Sequence, residues 1–360
     1  MIGAACARAL ANQGLSVTVV DPGPLRGAST DASAGMLAPM VEAREDDATL
    51  ALKVRGRDHT RALIPELEEE SGINIGYWSE GIFHVALSEQ EATELRHRVA
   101  WQRQQGFAAE WMTAEEIRQL IPGAADDVIG ASVAPEDGAL DPVGLRQALL
   151  ASAGTVGARL RLGERATHIE VTNGRAVAVK TNHAPKRGIK CGAVVLAAGC
   201  WSGRIRGLPR PISVEPVRGQ MVSVPWPANE PPAIVYGAGA YTVYRHGSAL
   251  VGATTEHVGF SPTTTKAAAD GLMDSVQRIY PALRGTTAEH KWAGLRPMTP
   301  DGNPIVGPDP EIPNLFYATG HGRAGIMLGS LTGEIVRELV LGHDLDYDLA
   351  PIDPQRFWDP

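Results

Sequence analysis

The N-terminal segment places the strongest constraint on what this chain can fold into. Small and apolar residues recur at helical spacing over residues 2–12, Gly14 ends the helix, and residues 15–21 indicate a buried strand. A helix that leads into a buried strand ending in an acidic residue is the second half of a βαβ unit. The pattern predicts a parallel sheet of the dinucleotide-binding type.

Two residues of this unit match the dinucleotide-binding fingerprint. Gly3 takes the place of the last glycine of GxGxxG, where the missing side chain lets helix and strand pack closely, and Asp21 is the carboxylate that would hold a ribose. The first strand and the first two glycines of the motif are absent, and we expect a truncated or misassigned start. On these residues alone, an ordinary α/β unit is an equally good interpretation.

Two further segments are suited to lining a ligand. Residues 22–39 form a loop rich in Gly, Ser and Thr whose apolar tail is unlike a solvated linker, so ligand lining is favoured over a flexible surface loop. Residues 191–203 hold a continuous apolar run that stops at Gly199, as a parallel strand buried on both faces requires. Gly199 would let the backbone approach a cofactor, although any buried strand followed by a turn has this pattern.

Charge and composition exclude several classes of protein. The formal net charge is −8 and the clusters of Lys and Arg are short, so no basic patch is available to bind nucleic acid. No apolar run reaches the roughly 18 to 20 residues that a membrane span needs. The three cysteines follow neither CxxC nor metal-ligand spacing, and we therefore expect a cytosolic chain without a metal site.

Arg296 is a candidate for binding an anionic substrate. It lies between Gly294, where a tight turn is expected, and Pro297, and its neighbours are apolar. A guanidinium held rigidly in such a frame presents a planar fork of donors suited to bidentate capture of a carboxylate. A surface salt bridge is the alternative interpretation.

The segment from residue 320 to 325 joins a predicted strand to an apolar helix predicted over residues 326–341. A helix N-terminus with glycine-flanked N–H groups is a natural site for an anion, or for the electron-rich edge of a reduced flavin. A plain strand-to-helix turn explains the glycines, but it does not explain His321 together with Arg323.

Six segments together resemble the D-amino-acid oxidase superfamily over essentially the whole chain, with the strings at 34–39, 292–297 and 320–328 most similar to the glycine oxidases of thiamine biosynthesis. In chain order they are Asp21, AGMLAP (34–39), VVLAAGCWS (194–202), WAGLRP (292–297), TPDGNPIVG (299–307) and TGHGRAGIML (319–328). Each string alone is unspecific, whereas their coincidence in this order is specific.

The resemblance implies a role for each matching residue. Arg296 would hold the substrate carboxylate, Tyr241 would help to position the substrate, and Arg323 would lie near the flavin. The ribose of FAD would contact Asp21, its pyrophosphate would contact Ser29 and Thr30, and its adenine would contact Ala166. The flavin would contact Ala34, Gly35 and Met36. The isoalloxazine would also contact the run His321, Gly322, Arg323, Ala324, Gly325, Ile326 and Met327.

The resemblance also implies a mixed α/β fold. We expect a Rossmann-like FAD-binding domain with a parallel sheet, interleaved with a substrate domain built on a large mixed or antiparallel sheet. Residues 1–75, 136–210 and 291–360 are assigned to the first domain, and residues 76–135 and 211–290 to the second.

The implied activity is oxidation of glycine or another small amino acid or amine. A hydride would pass from Cα to flavin N5, giving an imine for thiazole synthesis, with O2 as the acceptor and H2O2 as the by-product. FAD would be non-covalent, because no cysteine lies in the final segment. The resemblance suggests a homo-oligomer, which no apolar stripe in the sequence demonstrates. A D-amino-acid dehydrogenase, a sarcosine-type oxidase and a catalytically silent flavin-fold protein are the alternatives.

Overall fold

Helices and strands alternate along most of the chain, and the structure, a computed structural model, describes residues 1–358. The α-helices are α1 (Ile2–Ala11), α2 (Ser29–Ala32), α3 (Leu50–Ser71), α4 (Glu89–Gln104), α5 (Ala114–Leu120), α6 (Pro142–Thr155), α7 (Lys266–Ile279) and α8 (Gly329–Leu341). The strands are β1 (Thr18–Asp21), β2 (Met36–Leu37), β3 (Ile82–Ala86), β4 (Glu110–Thr113), β5 (Gly130–Ala134), β6 (Gly138–Ala139), β7 (Arg159–Leu162), β8 (Ala166–Thr172), β9 (Arg175–Thr181), β10 (Ile189–Lys190), β11 (Val194–Leu196), β12 (Glu215–Pro225), β13 (Ile234–Gly237), β14 (Ala240–Arg245), β15 (Ser248–Gly252), β16 (His290–Met298), β17 (Ile305–Pro308) and β18 (Leu315–Thr319).

The largest sheet has eight strands in the order β16-β12-β15-β14-β13-β3-β5-β4. Its neighbours are antiparallel except for β13 and β3, which run parallel. Because side chains alternate between the two faces of a strand, one face buries Val222 and Val251 in the same apolar cluster as Val276 of α7. Met221 and Tyr241 belong to a second cluster, which lies against the segment that precedes and includes β2.

The parallel strands outside the large sheet form two separate groups. β1 pairs with β7, and β11 pairs with β18, which in turn pairs antiparallel with β17. Within residues 1–358 no strand joins the two groups, and Val19 of β1 and Val195 of β11 both line the space between them. The predicted mixed α/β fold is therefore confirmed.

Helix α1 packs closely against α8 because both contribute small residues. Ala4, Ala5 and Ala7 are buried, and a Cβ added to Gly333 of α8 would lie 2.7 Å from the Ala5 carbonyl oxygen. Alanine has the highest helix propensity, so this face combines helix formation with a short interhelical distance.

Several local predictions are confirmed and two are wrong. Asn173 adopts a φ of 51° in the turn between β8 and β9, as an Asn-Gly hairpin requires. The apolar pattern of residues 72–88 predicts a strand, a turn and a second strand. The first strand does not form, because an Asx turn at Asn74 bends the chain there and only an isolated bridge at Trp78 precedes β3. Helix α8 begins at Gly329 rather than at residue 326.

The division into two domains stays a prediction. The strands of the large sheet fall in the ranges assigned to the substrate domain, apart from β16, which extends to Met298.

Among the described residues, no helix combines the length and apolar character needed to cross a bilayer.

Candidate functional site

A cavity of about 1830 Å³ extends between the two groups of parallel strands and the large sheet. Drug-sized ligands occupy pockets of about 300–1,000 Å³. The cavity is therefore large enough for a dinucleotide-sized ligand together with a small substrate. Asp21 lies at one part of its wall, and Arg296 lies at another.

Asp21 ends β1, where the carboxyl end of a parallel strand opens into the cavity. Its Oδ1 accepts a hydrogen bond of 2.8 Å from the backbone N–H of Gly23, which orients the carboxylate. At the start of α1, a Cβ on Gly3 would lie 3.4 Å from the Cβ of Ala197, which is van der Waals contact, so the role predicted for this glycine stays a prediction. The backbone nitrogen of Met1 donates to Thr30 Oγ1 over 3.3 Å.

Arg296 projects from β16 across its neighbour β12. Its guanidinium lies over Gly219, where an added Cβ would be 2.5 Å from Arg296 Cζ. Nη1 donates to the carbonyl oxygen of Thr254 over 2.9 Å, which fixes the orientation of the group. Burial lowers the pKa of Arg296, and the positive charge of Arg323 adds to that effect. The tight turn expected at Gly294 is wrong, since this glycine pairs with Gly219 inside the sheet.

Tyr241 and Tyr236 face each other across the β13–β14 hairpin, with ring centroids 5.2 Å apart. The Tyr236 hydroxyl donates to Met36 Sδ over 2.9 Å, and the Tyr241 hydroxyl lies 4.0 Å from Met221 Sδ. Burial raises the pKa of both phenols, so both remain protonated near neutral pH. A thioether is a weak acceptor, and the Tyr241 proton is therefore available to a stronger one.

Arg323 forms an ion pair with Glu42 at the same end of the cavity. Partial desolvation opposes the positive charge of Arg323, but the Glu42 carboxylate together with Tyr236 and Tyr241 raises the pKa of Arg323. The electrostatics of Tyr241 and Arg296 both respond to Arg323 and to Glu42. These four side chains thus share one polar environment.

His321 is buried beside this environment, and its Nε2 pairs with Thr332 Oγ1 over 2.9 Å. Burial lowers the pKa of His321 to about 3, so the imidazole is neutral at physiological pH. Across the cavity wall, Gly199 has a φ of 55° and its carbonyl accepts from Thr319 Oγ1 over 3.1 Å.

Comparison with known proteins identifies the family to which the chain belongs. The family model for FAD dependent oxidoreductases (DAO) matches residues 1–339. The chain belongs to this family. As a member of a family of FAD-dependent oxidoreductases, it is an enzyme that uses FAD.

Individual members of the FAD-dependent oxidoreductase family resemble the chain along nearly its whole length. It is 34% identical to the bifunctional protein ThiO/ThiG of a Nostoc species over 96% of this chain and 52% of the relative. It is 30% identical to the glycine oxidase of Bacillus subtilis over 97% of this chain and 92% of the relative. The crystal structure of glycine oxidase from Geobacillus kaustophilus superposes with a TM-score of 0.91 at 31% identity, covering 98% of this chain and 95% of that one. The chain spans about half the length of its ThiO/ThiG relatives.

The residues around the cavity fit FAD. The N-terminus of α1 opens into the cavity at Ile2 and Gly3, and a helix N-terminus is suited to a diphosphate. Asp21 ends β1 at the position of a ribose-binding carboxylate. Bound FAD would then have its diphosphate between α1 and the hydroxyls of Ser29 and Thr30.

Most of the predicted site residues line the same cavity, although their roles stay predictions. Those that line it are Gly3, Asp21, Ser29, Thr30, Ala34, Met36, Ala166, Gly199, Tyr241, Arg296, His321, Gly322, Arg323, Gly325, Ile326 and Met327. Two predicted residues lie outside the lining. A Cβ on Gly35 would overlap the Leu140 carbonyl, and Ala324 packs in an apolar cluster with Leu328.

Sequence reasoning missed other residues of the substrate end, namely Glu42, Tyr236, Gly219 and Met221. Tyr236 had a local signal, because the segment from residue 236 to 241 has the glycines of a tight hairpin between two tyrosines. Glu42 had none, since it follows a loop and meets Arg323 from a distant part of the sequence.

Proposed function

We propose that the protein oxidises a small amino acid or secondary amine, with glycine as the first candidate, to the corresponding imine. The observation that carries this proposal is the placement of Arg296 beside Tyr241 in the cavity that Asp21 also lines. That arrangement combines a carboxylate-binding group with a site for a dinucleotide. The glycine oxidases among the relatives support the same substrate class.

Arg296 binds the substrate carboxylate through its guanidinium fork. The contact with Thr254 orients the group before the substrate arrives, which lowers the entropic cost of binding. The Tyr241 hydroxyl donates a second hydrogen bond to the carboxylate, because its present neighbour is only a thioether.

The size of the substrate is limited by apolar side chains. Met36 and Met221 lie beside the two tyrosines and exclude water from the reacting carbon. When bound, FAD supplies the two-electron oxidation of the C–N bond. The protein contributes orientation and desolvation, and the neutral, hydrogen-bonded His321 is not required as a base.

Oxidation of the amine leaves two electrons to be passed on and a product to be released. O2 is the proposed acceptor, which gives H2O2, and the imine or its hydrolysis product leaves the site. The resemblance to the glycine oxidases of thiamine biosynthesis extends the proposal to supply of the imine for the thiazole. We also propose the interleaved two-domain division, non-covalent FAD, and a homo-oligomer.

Visible spectroscopy tests this function directly. The purified protein is titrated with FAD and then mixed anaerobically with glycine, sarcosine or D-alanine. We expect flavin absorbance that bleaches with one or more of these amines and returns, with H2O2, when O2 is admitted. Bleaching that persists in O2 would favour a dehydrogenase. Bound flavin that no amine reduces would overturn the proposed function.

A further inference from the structure

Glu42 is an acidic side chain at the substrate end of the cavity, and the proposed oxidation assigns it no role. Arg296 and Arg323 contribute two positive charges there, and Glu42 contributes one negative charge. Among the charged side chains that line this end of the cavity, these three leave one net positive charge, which matches a single carboxylate. The amine of the substrate binds as the neutral base, so it adds no charge to that balance.

Glu42 is held in place by the backbone that precedes it. The N–H groups of Met40 and Val41 each donate to Asp137 Oδ2 over 2.9 Å. The carbonyl of Val41 accepts from Arg98 Nη1 over 2.8 Å. Asp137 is fully buried, so this clamp belongs to the rigid interior. Glu42 is therefore presented to the cavity from a fixed backbone.

Arg323 is the partner that Glu42 meets there. The pairing keeps the guanidinium of Arg323 occupied, whereas Arg296 pairs only with a neutral carbonyl among its described hydrogen bonds. Both side chains of the Glu42–Arg323 pair remain substantially exposed, at 43% and 50%. An exposed ion pair contributes little to stability, so the loss of Glu42 should free Arg323 without unfolding the protein.

We infer that Glu42 is a specificity-determining residue: by occupying Arg323, it restricts the site to amines with one carboxylate and excludes amino dicarboxylates. This inference rests on the proposed function, since it concerns which substrates Arg296 admits. In the absence of Glu42, Arg323 offers a second guanidinium fork, and the charge balance becomes +2. A charged residue that disfavours the wrong substrate in this way is a common source of specificity.

The test compares Glu42→Gln with the wild-type holoenzyme. Acetate and malonate are titrated while the flavin spectrum and the heat of binding are recorded, and kcat/KM is measured for glycine and for iminodiacetate. In E42Q we expect the affinity for malonate relative to acetate, and the iminodiacetate-to-glycine ratio of kcat/KM, to rise about tenfold or more, as a new charged hydrogen bond allows.

Three controls assign the effect. Glu45→Gln removes the same charge from the same loop without contacting Arg323, and its ratios should equal those of the wild type. Glu42→Asp retains the charge and should retain the preference for one carboxylate. Adding Arg323→Gln to E42Q should abolish the gain.

The failure of this inference is distinguishable from failure of the proposed function. If the wild-type holoenzyme binds acetate but the ratios in E42Q stay within about twofold of wild type, Glu42 does not set the charge preference and the inference is overturned. A gain that survives in the E42Q/R323Q double variant would also overturn it. A wild-type holoenzyme that binds neither acetate nor any of the amines contradicts the proposed function itself.

Discussion

The guanidinium of Arg296 lies over the Cα of Gly219 on the adjacent strand, at a distance that leaves no room for a side chain between them. The backbone of Gly219 is extended and belongs to the regular ladder between β12 and β16. A glycine is therefore needed here for the space that it leaves and not for its conformational freedom. The position of the Arg296 guanidinium, which is proposed to bind the carboxylate, thus depends on the absence of a side chain at Gly219.

Gly219→Ala should displace Arg296 without unfolding the protein. The added Cβ meets the far end of a flexible side chain, which can move, but the guanidinium then leaves its contact with Thr254. We expect KM for the amine to rise by about tenfold or more, as loss of a charged hydrogen bond implies, with little change in melting temperature. Gly271→Ala in α7 is the control, since a Cβ there meets nothing within 4 Å. Unaltered kinetics in G219A would argue against Arg296 as the carboxylate site.

Tyr241→Phe removes a hydroxyl that has only a thioether as its neighbour. Because no strong hydrogen bond within the protein is lost, stability should be unchanged. The substrate should lose one hydrogen bond of about 1 kcal/mol, which corresponds to roughly a five- to tenfold rise in KM. Steady-state kinetics and thermal unfolding measure the two effects. Tyr244→Phe, on the same strand but packed edge-on against Trp226, should leave KM as in the wild type.

Asp137→Asn should destabilise the protein and the segment that presents Glu42. One carboxylate oxygen accepts from two backbone N–H groups and the other pairs with the buried Arg57 at 3.1 Å. The amide NH2 of asparagine must then face one of these donors. We expect the free energy of unfolding to fall by about 3 kcal/mol, measured in denaturant. Asp127→Asn, at an exposed position, is the matched substitution and should cost far less.

Stability should decline as the pH falls below about 6.5, and His84 should contribute to this decline alongside His321. Burial, aided by Arg98, lowers the pKa of His84 to about 4. Between about pH 6.5 and 4 the unfolded chain therefore binds a proton that the folded chain excludes, so acid favours unfolding in this window. In His84→Asn the slope of unfolding free energy against pH should be shallower by up to about 1.4 kcal/mol per pH unit.

His97→Asn is the control for this slope, because the His97 side chain is 78% exposed. Its slope should match that of the wild type. An unchanged slope in His84→Asn would show that the acid sensitivity arises elsewhere.

Local chemistry made part of this structure predictable. Asn173-Gly174 is a hairpin-turn dipeptide and Thr113 with Glu116 is a capping-box pattern, so a few residues predict each feature, and both form. The helix and strand that lead to Asp21 are likewise set by hydrophobic periodicity and a terminal glycine. The strand predicted as buried over residues 15–21 begins only at Thr18, however, and its residues are partly exposed.

Contacts that depend on register or on distant segments were not predictable. Gly219 meets Arg296 only because β12 and β16 pair in one register, and a single residue's shift would turn the arginine to the other face. Glu42 reaches Arg323 across 281 positions of sequence. Periodicity contains no information on either relationship.

The cavity is lined by two structurally separate parts of the chain. Tyr241 and Arg296 belong to the large sheet, whereas Asp21 and Thr30 belong to the N-terminal segment. Substitutions in the β13–β14 hairpin can therefore alter which amine is accepted while the nucleotide contacts remain intact. Directed evolution confined to that hairpin and to the loop around Glu42 would change substrate specificity without loss of cofactor binding.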